Sequence, residues 1–325
     1  MATRPLLSPA EGSALYDTLF DAGASLGSGA FGTVRCAVRR TDGAAVALKL
    51  LTPSSPARAA AARAEAATLM SLVHEHVVRC YDALPLLPDA VLAPGALPRL
   101  CLVLELCETD LAHLIASGAL AGAPRTALQH ALGVTSGLRF LHSRGVAHRD
   151  VKPQNVFVRR GMVKMGDLGS AVETDSNVGT QGYRAPELAA GASGCDAFRA
   201  DRWALGVTLA ELGCGCGELR PQHGDLAYST RAARHALAAQ VDAACPPLAP
   251  LVRRLLRRAP GRRLRLGAAV RLLSAMADAA EAEDSRSEGQ SSEDDAVRCH
   301  AMSRAASHIA DAARRTRART QRRTR

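Results

Sequence analysis

Gly27, Gly29 and Gly32 form a G-x-G-x-x-G run, and the chain holds only three lysines, Lys49, Lys152 and Lys164, against 38 arginines. Both features bear on phosphate chemistry. A glycine triplet of this spacing suits a dinucleotide site, a lid over nucleotide phosphates, or a turn that needs only glycine's backbone freedom. A dinucleotide fingerprint opens a helix. Here the glycines lead into TVRCAVRR (33–40), whose alternation reads as a half-buried strand, so a hairpin lid fits better. No G-x-x-x-x-G-K-[ST] run is present. Ammonium is a compact point charge and guanidinium a planar fork. A lysine that persists in so arginine-rich a chain is therefore a candidate for work that arginine cannot do.

The elements that must position these residues follow in order. After TVRCAVRR, Asp42-Gly43 marks a turn and AAVALKLL (44–51) a second strand, with alanine-rich 57–73 reading as a helix behind a Pro/Ser break. HVVRCYDALPLL (76–87) and RLCLVLEL (99–106) read as two more strands around a Pro/Gly loop. From Asp110 the pattern turns helical, with Leu128, Leu132, Leu138 and Leu141 expected on one helix face. No internal repeat is visible.

The 325 residues are 47% hydrophobic, enough for a substantial core, and carry a net charge of +10. No apolar run is long enough for a transmembrane helix, and the N-terminus lacks a signal-peptide pattern, so the expectation is an intracellular protein of cytoplasm or nucleus with no membrane partner. Nine scattered cysteines without paired C-x-x-C spacing read as reduced structural thiols. His74-Glu75-His76 lacks the spacing of a zinc helix. Residues 279–325 begin with an acidic, Ser-rich stretch expected to stay disordered and end with seven arginines among 314–325. That tail could bind an acidic partner or nucleic acid through counterion release, nonspecifically, since it has no aromatic residue for stacking. The serines at 285, 287, 291 and 292 could be phosphorylated or could belong to a solvated linker.

Six motifs in order resemble those of the eukaryotic-type protein kinases. Gly27 to Val34 is similar to their Gly-rich loop, Val46-Ala47-Leu48-Lys49 to V-A-I-K, and His148 to Asn155 to the catalytic loop. Asp167-Leu168-Gly169 resembles D-F-G, Ala185-Pro186-Glu187 resembles A-P-E, and Asp201-x-Trp203-x-x-Gly206 opens a buried helix in that family. The resemblance spans about 24–275. It implies an α+β, bilobal fold, with a small β-rich N-lobe holding one main helix and a larger, mainly α-helical C-lobe. The domain is expected at 20–278, with the N-lobe about 20–105 and the C-lobe about 106–278, after an extension at 1–19.

The resemblance also assigns roles. Lys49 would hold the α- and β-phosphates of ATP, paired with Glu65. Asp150 would accept the proton of the attacking hydroxyl, Lys152 would sit beside the transferring phosphoryl, and Asn155 and Asp167 would bind Mg²⁺. Leu26, Gly27, Gly29, Gly32, Val34 and Ala47 would enclose the nucleotide, with backbone groups of Glu105 and Cys107 on the adenine behind Leu104. Asp110 could accept from the ribose or could cap a helix. Lys164 is expected on an exposed strand, without a role. Lys152-Pro153 and Gly179-Thr180 resemble the serine/threonine class, with Thr180 bonded to Asp150 and Lys152, which implies protein substrates with Ser or Thr acceptors. Arg149 could pair with a phosphate on Thr174 or Ser176, although Glu173 and Asp175 offer built-in charge. Glu187 is expected to pair with Arg263, structurally. Leu168 in place of Phe keeps an apolar plug. A scaffold that has lost catalysis is the competing class, and it predicts a missing lysine, base or metal ligand. The Ala/Arg bias and polar tail look similar to kinases of large GC-rich DNA viruses such as herpesviruses, which would place the chain in a host cell.

Overall fold

The computed structural model describes residues 7–29, 32–88, 97–168, 179–192, 194–215 and 228–287. These form two compact units, one of residues up to 108 together with 157–168, the other of 109–156 and the described residues from 179 onward.

In the first unit, helix α1 (Pro9–Leu19) precedes strands β1 (Phe20–Gly29), β2 (Gly32–Arg39) and β3 (Ala45–Leu51), and helix α2 (Pro56–Ser71) precedes β4 (Cys80–Leu86) and β5 (Arg99–Glu105). The five strands form one antiparallel sheet in the order β1-β2-β3-β5-β4. Strand β5 shows why the sheet needs two covers. Its odd positions Cys101 and Val103 pack with Val46, Leu48, Leu84 and Leu86 beneath Leu15, Tyr16 and Leu19. Its even positions Leu100 and Leu102 pack with Ala66 and Ala83 beneath Ala62, Leu69 and Met70 of α2, joined by Leu104. Side chains alternate along a strand, so an unbroken apolar run needs apolar partners on both faces. Helix α1 supplies the cover that sequence reading did not assign, since residues 1–19 were read only as an extension. Its start is fixed by a capping box, in which Ser8 accepts from the Glu11 N–H and the Glu11 carboxylate takes the Ser8 N–H. Gly12 permits its close seat, because a Cβ there would stand 1.9 Å from the Pro85 carbonyl oxygen. On α2, Ser55 accepts from the Arg58 N–H and caps the helix at the expected break.

The second unit is mainly helical. After the two-residue strand β6 (Thr109–Asp110) come helices α3 (Leu111–Ala116) and α4 (Pro124–Ser143). A 3₁₀ turn at Pro153–Asn155 leads into β7 (Val156–Arg159) and β8 (Met162–Met165). Helices α5 (Pro186–Ala189), α6 (Ala197–Cys214), α7 (Arg231–Ala244), α8 (Ala249–Leu255) and α9 (Leu266–Ser287) complete it. Helix α6 is buried along most of its length by Trp203, Leu205, Val207, Leu209 and Leu212, as an all-round apolar helix must be. Gly206 lets α8 approach, since a Cβ there would meet Leu255 and Leu256 at 2.9 Å. The buried stripe of α4 runs through Leu128, Ala131, Val134, Leu138 and Leu141. Leu132, expected on that face, is only half-buried, because the 3.6-residue period rotates it to the stripe's margin.

Two expected boundaries shift. The β7–β8 hairpin, assigned by sequence to the C-lobe, packs with the first unit: Val77 bridges Met165, the Met165 N–H donates to the His76 carbonyl at 2.9 Å, and the Val78 N–H donates to the Met165 carbonyl at 2.8 Å. The expected tail boundary at 279 falls inside α9, where alanine-rich sequence carries the helix on to Ser287. No helix of the described residues is long and apolar enough to cross a membrane. Cys36, Cys80, Cys101, Cys107, Cys195 and Cys245 form no disulfide, and burial pushes the Cys80 and Cys101 thiols up to about 12.

Candidate active site

The first unit gathers one set of the expected residues. The β1–β2 hairpin places Gly27 opposite Val34 and Gly29 opposite Gly32. Gly32 has φ +131°, and a Cβ would stand 1.9 Å from the Leu50 carbonyl oxygen, so only glycine fits where this hairpin crosses β3. Among the described residues nothing would come within 4 Å of a Cβ at Gly27, and Leu26 beside it is exposed. On β3, Lys49 pairs with Val34 on one side and Leu102 on the other, and buried Ala47 lies opposite Leu104. Strand geometry therefore sets Val34, Ala47, Lys49 and Leu104 on one face.

Lys49 Nζ lies 2.6 Å from Asp167 Oδ1, joining the third-strand lysine to the D-L-G aspartate. Asp167 adopts φ +53°, a region that few residues other than glycine occupy. The turn into it depends on Gly166, since a Cβ there would come within 2.7 Å of the Phe157 ring and 2.9 Å of Val78. Glu65, the expected partner of Lys49, is half-buried on α2 beside fully buried Ala66, and its charge joins burial and Asp82 in raising the Cys80 thiol.

Glu105 at the end of β5 answers to two descriptions. Its backbone N–H donates to the Arg79 carbonyl at 2.8 Å, which leaves only its carbonyl for a ligand. Its side chain is buried in an ion-pair network: Arg159 Nη1 binds Oε1, Lys164 Nζ lies 3.1 Å from Oε2, and the Arg79 N–H donates to Oε2 at 3.2 Å. Lys164 is thus not on an exposed strand. It is 7% exposed and also donates to the Glu75 carbonyl at 2.8 Å. Alternation in MVKM could not reveal this, because the carboxylate that draws the lysine inward lies 59 residues earlier in the chain. Burial pushes the Glu105 carboxyl up, but the bonds from Arg159, Arg79 and Lys164 outweigh it and hold the group below its ordinary 4.5. The Cys107 thiol, by contrast, is raised to about 11 by burial and by Glu105, so it is no reactive thiolate.

Lys164→Met removes a charge-assisted bond and is expected to cost about 1.5–3 kcal/mol at neutral pH. Because the folded pKa of Glu105 lies below the unfolded one, its contribution is complete above about pH 4.5 and is lost as pH falls through the depressed value. Urea unfolding should therefore show a gap between wild type and variant that is constant from pH 7 to about 5 and narrows in more acidic solution. A gap that widened on acidification would refute the account.

The second unit gathers the other set. Asp150 is the centre: Lys152 Nζ lies 2.8 Å from Oδ2, Asn155 Nδ2 donates to Oδ2 at 2.9 Å, and the Thr180 hydroxyl and N–H donate to Oδ1 at 2.7 and 2.8 Å. Lys152 also donates to the Thr180 hydroxyl at 2.6 Å. These are the bonds expected of Thr180. Burial pushes the Asp150 carboxyl up, yet the bonds from Lys152 and Thr180 hold it below its ordinary 3.8. Gly179 makes the approach possible, with φ +112° and a would-be Cβ 2.8 Å from the Arg149 carbonyl oxygen.

The loop's shape is enforced from beneath. Asp201 of α6, 1% exposed, accepts the N–H groups of His148 and Arg149 at 2.8 Å each and meets His142 Nε2 at 2.8 Å. It thereby holds Arg149 at φ +67°. Sequence marked Asp201 as a motif residue but did not indicate this role. Asp110 accepts the His113 N–H at 2.8 Å, the helix-cap alternative for that residue. Glu187 and Arg263 form the expected pair through two bonds of 2.6 Å.

Each unit offers hard oxygen donors. In the second, Asn155 spends its amide N–H groups on Asp150 and keeps its carbonyl oxygen; in the first, Asp167 binds Lys49 through Oδ1 and has Oδ2 beyond it. Among the described residues there is no cluster of three or more His, Cys, Asp or Glu that could hold a metal, and a Mg²⁺ that keeps waters and phosphate oxygens needs none. Gly169, Glu173, Thr174, Asp175, Ser176 and the tail from 288 lie outside the described residues.

Residues 20–272 match the family model for the protein kinase domain. The chain is similar to CBL-interacting protein kinase 4 of Oryza sativa subsp. japonica, 33% identical over 212 residues, covering 60% of this chain and 44% of that protein. It is also similar to CBL-interacting serine/threonine-protein kinase 26 of Arabidopsis thaliana, 31% identical over 211 residues, 60% of this chain and 45% of that one. Mitogen-activated protein kinase Hog1 of Zymoseptoria tritici is 34% identical over 195 residues, 58% of this chain and 51% of that protein. The chain spans about half the length of these curated relatives.

Proposed function

The chain belongs to the protein kinase domain family, and on that premise we propose that it transfers the γ-phosphate of ATP to serine or threonine hydroxyls of protein substrates. The observation that carries this reading is the Asp150 carboxylate with Lys152, Asn155 and Thr180 converging on it. Asp150 accepts the hydroxyl proton as the oxygen attacks phosphorus, and its ionised state is secured by the cation and donors around it. Lys152 places a positive charge beside the transferring phosphoryl. Lys49 binds the α- and β-phosphates, with Glu65 steadying it, beneath the Gly27–Gly32 hairpin.

Leu26, Val34 and Ala47 enclose the adenine, and Glu105 offers it a carbonyl and Cys107 a backbone N–H. Asp110 has capacity for a ribose hydroxyl beyond its bond to His113, since a carboxylate accepts several. Asn155 and Asp167 hold Mg²⁺, which supplies charge that offsets the negative charge on the phosphate oxygens. Serine/threonine acceptors are favoured by Lys152-Pro153 and by Thr180, whose hydroxyl is committed to Asp150 and Lys152.

Transfer from Mg²⁺-ATP to a mixed Ser/Thr/Tyr peptide library, compared between wild type and Asp167→Asn, tests the proposal. Phosphoserine or phosphothreonine made only by wild type is the expected result. Phosphotyrosine alone would overturn the class, and no transfer by nucleotide-binding wild type would turn the reading toward a scaffold.

A further inference from the structure

The second unit carries a pocket of about 500 Å³ remote in sequence from Asp150, Lys152, Asn155 and Thr180, lined by Arg231, Arg234 and His235 of α7 and by Arg253, Leu256 and Arg257 at the end of α8. No carboxylate among the described residues lines it. Arg253, one of the lining arginines, forms an exposed ion pair with Asp242 at 3.3 Å.

Such crowding has a cost. Burial first, and then Arg258, Arg257 and Arg231, press the Arg234 guanidinium below its ordinary value. The positive end of the α7 dipole adds to this, since no acidic side chain stands in the helix's first turn.

The arrangement is also held in place. Arg234 Nη1 donates to the carbonyls of Tyr228 and Ser229 at 2.9 and 2.6 Å, which leaves its other nitrogens for a ligand. The backbone carbonyl of Arg257 accepts from Arg263 Nε at 2.9 Å, tying the pocket to the most buried arginine of the unit.

We propose that this pocket binds a phosphorylated serine or threonine side chain of an acidic polypeptide segment. Planar guanidinium forks match phosphate oxygens bidentately, and several converge here on one concavity. Nucleic acid fits less well, because the basic groups are confined to a pocket whose lining offers no Phe, Tyr or Trp on which a base could stack. The phosphate could arrive on another protein or on this chain's own segment, whose serines 285, 287, 291 and 292 stand among carboxylates.

Fluorescence anisotropy with a labelled peptide of residues 283–296, phosphorylated or not at Ser291 and Ser292, tests this without reference to catalysis. The protein would be the full chain, wild type and the double variant Arg231→Gln/Arg257→Gln. Both positions are exposed, so folding should survive, and wild type and variant both retain the Arg-rich tail as an internal control. Wild type is expected to prefer the phosphopeptide by about tenfold or more, and the double variant to lose that preference while transferring phosphate to unphosphorylated library peptides as before. Equal binding of both peptides, an undiminished preference in the double variant, or displacement by a single-stranded oligonucleotide at lower concentration than by unlabelled phosphopeptide would overturn it.

A second arm identifies the source. If prior phosphorylation of the full chain weakens peptide binding, and Ser→Ala changes at 285, 287, 291 and 292 abolish that weakening, the chain's own segment is the occupant. If binding is unchanged, the phosphate belongs to another protein. Either result upholds the pocket.

Discussion

Asp150→Asn is expected to lower kcat by about 10²–10⁴-fold, while the KM for ATP stays close to that of wild type. The substitution keeps the shape of the side chain and removes its capacity to take a proton. In wild type the carboxylate is only 13% exposed and is surrounded by Lys152, Asn155 and Thr180, so the asparagine should occupy the same volume without a gap. The pH dependence separates a base from a merely structural group. With its pKa held below 3.8, Asp150 is ionised throughout the neutral range and adds no acidic limb to the kcat profile above about pH 5. Steady-state kinetics from pH 5 to 8 should therefore show the variant displaced downward by a constant factor. A variant with unchanged kcat, or one whose loss disappears at higher pH, would rule out Asp150 as the proton acceptor.

What the sequence could disclose follows from the range of the interactions concerned. Lys49, Asp150, Asn155 and Asp167 stood out as candidates because their types and order form a pattern along the chain. The structure gives Asp150 the two partners that the resemblance implied for Thr180 and its neighbours, Lys152 and Thr180. Strand β2 was legible from alternation, β3 and β5 from apolar runs bounded by turn and loop residues, and the cap of α2 from its Ser/Pro break. Lys164 was misread for the opposite reason. A lysine on a short strand looks solvated unless the distant Glu105 is known to await it. The same blindness hid α1, whose apolar residues gain meaning only once β5 is seen to be apolar on both faces. Gly166 and Gly179 carried no signal beyond their identity. Their need arises where Phe157 and the Arg149 carbonyl pass within 3 Å of the space a Cβ would fill.

Arg263→Met is expected to destabilise the chain by about 3–5 kcal/mol. The arginine side chain is fully buried, and its guanidinium is close to saturated: both oxygens of Glu187 at 2.6 Å, the carbonyls of Arg199 and Arg257 at 2.9 Å, and that of Arg258 at 3.3 Å. It also lies 5.2 Å from the centroid of the Trp203 ring. Methionine would fill part of the volume but would leave a largely buried carboxylate and three carbonyls without their donor, and that desolvation is the source of the loss.

A double variant separates this from lost packing. Glu187→Leu together with Arg263→Met removes both charges, so it should be less destabilised than the sum of the singles, with a coupling of about 1–3 kcal/mol in urea unfolding. Glu187 lies seven residues after Thr180, at the start of α5, so the same pair fixes the end of the segment that delivers Thr180 to Asp150. The single variant should therefore also lose kcat under conditions where it remains folded, and part of that activity should return in the double variant. A cost below about 1 kcal/mol, or strictly additive singles, would mean that the fold does not depend on this charge pair.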